Sequence, residues 1–295
     1  MVPYLDRIRT YYQALGFGEP YRWAQFETVP FASLERPLSK AIIGIVTTAA
    51  PYRPDLGDQG PGAAYNGDAK FYSVCSDSTD VEPDLCISHV AYDRDHTTAE
   101  DQGTFFPLAA MKVLAAEGRI GGVGPRFHGF PTNRSQRTTM DVDCPDLVAR
   151  VMADGVDAVL LVPNCPVCHQ SVGLAARALE AEGTPTVISG AARDIVEHVG
   201  VPRFLFNDFP LGNSVGRPND PASQIAIVGL ALDLLVTADM PRTTVQSPFT
   251  WDGDPEWKRS YSNAALLSPD DIARRRAEFL KGKAAAKRVR EQSAG

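Results

Sequence analysis

Residues 157–188 read DAVLLVPNCPVCHQSVGLAARALEAEGTPTVI, and their pattern describes one complete strand–helix–strand unit. The apolar run at 158–162 predicts a buried strand that Pro163 and Asn164 terminate. A long helix then opens at Cys165, and a second strand follows at 186–188. Because two parallel strands need a crossover between them, usually a helix, the segment predicts a parallel sheet.

The same alternation extends in both directions from this unit. The strands that we predict lie at 41–46, 86–90, 120–123, 158–162, 186–188 and 203–206. The helices between them lie at 107–116, 145–153, 165–182, 192–199 and 221–236. Short apolar strands that alternate with longer amphipathic helices are typical of α/β proteins. We therefore expect an α/β fold, a mostly parallel sheet flanked by helices on both faces.

The two ends of the chain lack this alternation. Residues 1–40 predict an N-terminal helical arm, and residues 41–240 hold the α/β domain. Residues 241–295 predict a wrapping segment followed by a C-terminal helical tail. That helix carries many positive charges and few apolar residues, so we expect it to be solvated and frayed, with a subunit-bridging arm as the alternative. In the wrapping segment, three aromatic residues are expected to cover the surface or meet a partner: Trp251, Trp257 and Tyr261.

Composition excludes several classes of protein. The chain has 295 residues, and 29 Lys and Arg stand against 36 Asp and Glu, a net charge of -7 that does not suit a nucleic-acid partner. The sequence shows neither a membrane span nor a signal peptide. Five cysteines, an odd number, do not form a secreted disulfide framework in a chain of this length. We expect a cytoplasmic protein that binds no membrane.

The strongest chemical signal is Cys165-Pro166-Val167-Cys168, because it sits where a strand ends and a helix begins. Unpaired N–H groups and the helix dipole favour an anion at that position, so the pKa of the Cys165 thiol is expected to be depressed. Cys168 lies one helical turn further on, close enough to form a disulfide with Cys165. This arrangement predicts a nucleophile followed by a resolving thiol.

A metal site is the alternative explanation of two cysteines at this spacing. Structural zinc and iron–sulfur clusters both need further Cys or His ligands. Three cysteines remain, and they stand alone at unrelated spacings: Cys75, Cys86 and Cys144. We therefore expect no metal and no bound cofactor, and an external thiol or a thioredoxin-type reductant instead.

At these residues the chain resembles the B component of glycine, sarcosine and betaine reductases, whose larger subunit is a selenoprotein. Counted back from Gly183, Cys165 falls where that family has selenocysteine and Cys168 where it has the following cysteine. Further segments are similar in the same order: ISHVAYDRDHT at 87–97, FFPLAAMKVLAAEGRIGGVG at 105–124, MADGVDAVLLVP at 152–163 and FPLGNSVGRP at 209–218. The resemblance covers roughly residues 35–240.

The resemblance implies a reductase in which the residue at 165 attacks carbon. In that family selenium expels an amine and passes the carbon fragment to other selenoprotein components. The present chain has cysteine at 165 and is shorter than the family's reductase subunits, so a glycine-type substrate does not carry over. What carries over is the position of the nucleophile and the use of thiol reducing equivalents.

Several further residues follow predicted strands and are expected at the same edge of the sheet. His89 and Asp93 are candidate general acids for a leaving group. The candidate donors to an anionic small-molecule substrate are Arg126, His128, Arg134, Asn164, Gly212 and Asn213.

Three functions are compatible with this sequence. The first is a thiol-dependent reductase that cleaves a C–N, C–S or similar bond, and we expect it to be a homo-oligomer. The second is a cofactor-independent isomerase of the aspartate/glutamate racemase type, which needs a thiol on each face of the substrate and so requires Cys86 or Cys75 opposite Cys165. The third is a non-catalytic subunit that binds a partner through the segment from Trp251 to Tyr261.

Overall fold

A computed structural model describes residues 1–251 and 255–293. Its strands are β1 Ile42–Thr47, β2 Ala50–Pro51, β3 Cys75–Ser78, β4 Leu85–Cys86, β5 Gly122–Gly129, β6 Ala158–Val162, β7 Thr186–Gly190, β8 Arg203–Phe206 and β9 Thr243–Gln246. Its α-helices are α1 Tyr4–Ala14, α2 Leu108–Ala116, α3 Gln136–Thr138, α4 Cys144–Asp154, α5 Pro166–Ala181, α6 Arg193–Val199, α7 Pro221–Thr237, α8 Trp257–Ser260 and α9 Pro269–Ser293.

The main sheet has seven strands in the order β3-β5-β1-β6-β7-β8-β9. Every neighbouring pair is parallel except β3 and β5. If the six parallel strands are renumbered 1 to 6 by their order in the chain, from β1 to β9, their order across the sheet is 2-1-3-4-5-6. This is the order of a doubly wound sheet. The direction of winding reverses between β1 and β6, and open α/β sheets bind their ligands at the carboxyl ends of the strands at such a point.

Helices cover both faces of the sheet, which confirms the predicted α/β class. One hydrophobic core joins α2 and α7 to the first face, where Ile43, Leu160 and Leu205 are fully buried. A second core joins α4, α5 and α6 to the opposite face, where Leu161 and Phe204 are fully buried. The strands between the two cores are buried on both faces, which explains their continuous apolar runs.

Two predicted strands differ from the observed ones. Of residues 86–90 only Cys86 is in a strand, paired with Ala50 outside the main sheet. Ile87 is buried in the first core without a strand partner. The prediction failed here because an apolar run indicates burial but does not by itself indicate strand pairing. The strand predicted at 120–123 instead runs to Gly129, through Gly124 and Pro125, with a register shift against β1.

Both ends of the chain contact the α/β body, although most side chains of α9 are exposed, as expected for the tail helix. Trp257 and Tyr261 are buried with Val2 and Tyr4 in a third core, so they do not form an exposed partner surface. Residues 252–254 of the wrapping segment lie outside the described residues. Helix α9 crosses α1, where the Phe279 ring lies 5.3 Å from that of Tyr12. Arg276 donates to the carbonyl of Leu15, at the end of α1.

A buried ion pair ties the N-terminal arm to the body. Glu180 and Arg203 are 4% and 1% exposed, with 2.8 Å between carboxylate and guanidinium. The same two groups bind the N–H and the carbonyl of Ala32. None of the described helices is long and apolar enough to cross a membrane.

Candidate active site

Cys165 is the N-cap residue of α5, immediately after β6 at the switch point of the sheet. Its backbone is extended, and its sulfur accepts a hydrogen bond from the N–H of Cys168 at 3.3 Å. Pro166 occupies the first helical position, where no N–H is needed. The local sequence therefore builds the predicted arrangement, a thiol on the positive end of a helix.

The second thiol lies beneath the first. Cys168 is fully buried, and the hydroxyl of Thr132 is 3.2 Å from its sulfur. Burial acts to raise the pKa of Cys168, but hydrogen bonds from Cys165, His89 and Thr132 outweigh burial and lower that pKa well below its usual value. Burial and the neighbouring Cys168 raise the pKa of Cys165.

The expectation that Cys165 has the lower pKa is therefore wrong for the resting pair. The helix end was identified correctly, but the contacts that favour a thiolate converge on Cys168.

His169 holds this helix entrance in place. Its Nε2 accepts hydrogen bonds from the N–H groups of Ala191 and Ala192, at 3.0 and 3.1 Å. Its Nδ1 must therefore carry the proton and donates it to the carbonyl of Cys165 at 2.8 Å. Burial lowers the pKa of His169 to about 4, so this ring stays neutral. One imidazole thus connects the Cys165 backbone to the start of α6.

A cavity of about 280 Å³ opens above Cys165. Its floor is formed by Cys165 and Thr132, and its wall includes His89. Helices α1 and α9 form the roof, where Phe279 packs against both Tyr12 and Phe17. Further aromatic side chains line the sides: Tyr21, Trp23, Tyr65 and Phe71.

Four cationic side chains line this cavity, those of Arg9, Lys70, Arg134 and Lys283, together with the acidic Glu19. Lys70 comes from the long loop between β2 and β3, and Arg134 from the loop after β5. Arg134 lies over the rings of Tyr12 and Phe279, at 5.7 and 5.6 Å from the ring centres. Burial, with a smaller contribution from Arg134, lowers the pKa of Lys70 to about 8.

The structure brings together part of the predicted site. Cys165, His89 and Arg134 line the cavity, and Cys168 contacts its floor. The Nδ1 of His89 is buried without a hydrogen-bond partner among the described residues. Asn164 precedes Cys165 and is fully buried, and within the same residues neither of its amide atoms has a partner.

Other predicted residues lie elsewhere. Arg126 and His128 are inside β5 rather than in a loop beyond it, and both bind the carboxylate of Asp154 on α4. Their side chains therefore form ion pairs within the fold, and neither residue lines the cavity. Asp93 is buried beside His96, 2.7 Å from its Nδ1, and borders a second cavity.

Gly212 and Asn213 also lie outside the cavity lining. The carbonyl of Gly212 accepts from Thr104 at 3.3 Å, and the Asn213 amide donates to Pro210 within its own loop. Their loop crosses the strand ends as expected, but it is packed into the body. Lys70, Thr132 and the aromatic roof were not identified from the sequence; for Lys70 only its position in a long loop was a signal.

Comparison with known proteins gives the family. The chain is 32% identical over 186 residues to the D-proline reductase subunit gamma of Acetoanaerobium sticklandii, a match that covers 63% of this chain and 76% of that protein. The chain belongs to this family of reductase components. Two further members are the glycine reductase complex component B gamma subunits of Carboxydothermus hydrogenoformans and Peptoclostridium acidaminophilum, each 24% identical.

The family relationship confirms the resemblance seen in the sequence. The glycine reductase matches cover 72% and 74% of this chain but only 49% and 50% of those proteins, so the chain spans about half their length. No protein-family model matches the chain. No solved structure matches it either. These relatives are subunits of reductases, and the chain is accordingly a reductase-type component.

Proposed function

We propose that this protein is a thiol-dependent reductase that cleaves a C–N, C–S or similar bond in a small anionic substrate. The observation that carries the proposal is the cysteine pair, with Cys165 at the cavity floor and Cys168 sealed beneath it. The family of reductase subunits supports the same chemistry.

The reaction begins with a proton transfer within the pair. Cys165 gives its proton to the Cys168 sulfur and attacks the substrate carbon. The bond from carbon to nitrogen or sulfur breaks, and the leaving group takes its electron pair and a proton held by His89. A thioether on Cys165 and a free amine or thiol result.

Reduction then uses the second cysteine. Cys168 returns a proton to His89, and its thiolate attacks the sulfur of Cys165 to form a disulfide. The carbon–sulfur bond breaks, and the carbon keeps the electron pair and takes that proton. The substrate gains two electrons and the cysteine pair loses two. An external dithiol, for which we propose a thioredoxin-type protein, then reduces the disulfide by exchange.

Mass spectrometry tests this reaction directly. Purified protein is incubated with small thiols, thioamides and N-substituted glycines, and peptide mapping locates any added mass. Cys168→Ser is expected to accumulate an adduct on Cys165, because no thiol remains to resolve it, and Cys165→Ser is expected to form none. Turnover without any reductant, with Cys168→Ser fully active, would contradict the proposal.

The racemase alternative finds less support in the geometry. It needs a second thiol facing Cys165 across the substrate. Cys86 is buried, with its sulfur 3.5 Å from the carbonyl of Ala50, and Cys75 lies against the carbonyl of Gly129. Neither sulfur lines the cavity above Cys165.

A further inference from the structure

One side chain, that of Asn133, connects several parts of the cavity around Cys165. Its amide donates to the carbonyl of Tyr72 at 3.2 Å and to the carboxylate of Asp143 at 2.7 Å. Asn133 and Asp143 are 9% and 2% exposed, so the hydrogen bond between them lies inside the protein. Hydrogen bonds to an ionised acceptor are shorter and stronger than those between neutral groups. Asn133 is therefore held firmly, although it is part of a loop.

The residue before Asn133 contacts the second thiol. The hydroxyl of Thr132 lies 3.2 Å from the Cys168 sulfur, and Thr132 forms part of the cavity floor. This hydroxyl is among the groups that lower the pKa of Cys168. A hydroxyl stabilises a thiolate only while it stays within hydrogen-bond distance and points at the sulfur. The contacts of Asn133 fix the backbone beside Thr132, and through it the position of that hydroxyl.

The carbonyl that Asn133 binds belongs to a wall of the same cavity. Lys70 and Phe71, the two residues before Tyr72, both line it. The Tyr72 hydroxyl donates to the carbonyl of Ala286 on α9, at 2.5 Å. One amide thus joins the loop of the floor to a loop of the wall, and Tyr72 continues the connection to the roof.

An uncommon local structure places Asp143 for this contact. Asp143 is the last residue of a π-helical turn, Thr139–Asp143, which leads directly into α4. Residues 140–142 are exposed, whereas Asp143 is buried. Burial raises the pKa of Asp143, and the hydrogen bond from Asn133 acts against that rise. Because a buried carboxylate is costly and π-helical turns are frequent at functional sites, this acid points to a role in the neighbouring site.

We infer that Asn133 and Asp143 are positioning residues of the cysteine pair. Asp143 fixes the Asn133 side chain, which keeps the Thr132 hydroxyl against the Cys168 sulfur. The same side chain ties the loop of Tyr72 to the floor. Neither Asn133 nor Asp143 lines the cavity, so both act through their neighbours. The inference rests on the proposed function only for the use that the reaction makes of a thiolate at Cys168.

The pH profile of thiolate absorbance in the ultraviolet measures the effect on Cys168. Burial raises the pKa values of the other four thiols, so the first thiolate to form as pH rises is that of Cys168. Asn133→Ala should raise the pKa of Cys168, because the Thr132 hydroxyl is no longer held on the sulfur. In a Thr132→Val background the same substitution should raise it no further, since its effect passes through that hydroxyl.

An exchanged pair separates the two hydrogen bonds of Asn133. Asn133→Asp combined with Asp143→Asn restores a carboxylate–amide bond between the two positions, but the carboxylate at 133 cannot donate to the Tyr72 carbonyl. The pKa of Cys168 should therefore return close to that of the unaltered protein. Hydrogen exchange in residues 69–75, measured by mass spectrometry, should rise several-fold in Asn133→Ala and stay raised in the exchanged pair.

A control variant separates positioning from a general loss of stability. Glu180→Gln disrupts the buried ion pair with Arg203 near the other end of α5. It should lower the free energy of unfolding and leave the pKa of Cys168 unchanged. If Asn133→Ala does not fold, Asp143→Asn alone keeps the shape of the pair and weakens the same hydrogen bond, and a smaller rise in that pKa is expected.

Three results would overturn the inference: an unchanged pKa of Cys168 in these variants, a further rise in the Thr132→Val background, or an equal rise in Glu180→Gln. An exchanged pair in which that pKa stays as high as in Asn133→Ala would also overturn it. None of these measurements uses reductase turnover. The expected pKa shifts in a protein without reductase activity would leave the positioning role standing and remove the proposed function.

Discussion

Replacement of Lys70 by Met should make the protein more stable at neutral pH. The folded state lowers the pKa of Lys70 from 10.5 to about 8, chiefly through burial. A group whose pKa falls on folding binds fewer protons in the folded state, so its charged form opposes folding at neutral pH. A difference of about 2.5 pKa units corresponds to about 3 kcal/mol at 1.36 kcal/mol per unit.

The pH dependence follows with a definite sign. Below about pH 8 the amine is charged in both states, and the full penalty is present. Between about 8 and 10.5 the folded protein releases its proton first, so the free energy of unfolding rises relative to a chain without this amine. Lys70→Met should therefore gain up to about 3 kcal/mol at pH 7 and little near pH 10.5.

Urea unfolding monitored by fluorescence measures this difference. The free energy of unfolding is compared between Lys70→Met and the unaltered protein at pH 7 and near pH 10, with Lys112→Met as an exposed control. The control should change stability by less than about 0.5 kcal/mol. Equal stability of Lys70→Met and the unaltered protein at pH 7, or a gain that persists undiminished at the higher pH, would refute the reasoning.

Three further outcomes are expected. Glu180→Gln should destabilise the protein by about 3–5 kcal/mol in the same unfolding assay, because it leaves Arg203 buried without its counter-charge; a loss below about 1 kcal/mol would contradict this. Thr132→Val should raise the pKa of Cys168, since it removes a hydrogen bond to its sulfur, and the pH profile of thiolate absorbance at 240 nm reports the change. Phe279→Ala should speed iodoacetamide modification of Cys165 several-fold by loosening the roof, whereas Leu280→Ala, at an exposed position of the same helix, should not.

The sequence predicts the centre of this fold better than its edges. β1, β6, β7 and β8 are fully or largely buried, so each contains a stretch of apolar residues that stands out from its surroundings. The edge strands β3 and β9 read CSDS and TTVQ, and neither was predicted because one side of each faces solvent. In β5, Gly124 and Pro125 resemble a strand end, yet the strand continues past them with a shifted register.

Of the residues at the site, the sequence likewise predicts some and misses others. Cys165 and Cys168 could be placed because their spacing and the strand–helix junction are local features. Lys70 could not, since its loop has no periodicity and only the tertiary fold brings that loop over the helix end. The tail helix looked solvated because it has few apolar residues, but Phe279 alone makes aromatic contacts with both Tyr12 and Phe17.

The roof of the cavity has a consequence for biosynthesis. Residues 269–293 are translated after the whole sheet, so a nascent chain can assemble β1, β6 and α5 while α9 is still missing. During that interval Cys165 has a floor and walls but lacks the cover that Phe279 and α9 provide. Its thiol is then open to oxidants and to other thiols in the cell. The rate at which α9 docks after synthesis thus sets how long Cys165 stays without this cover.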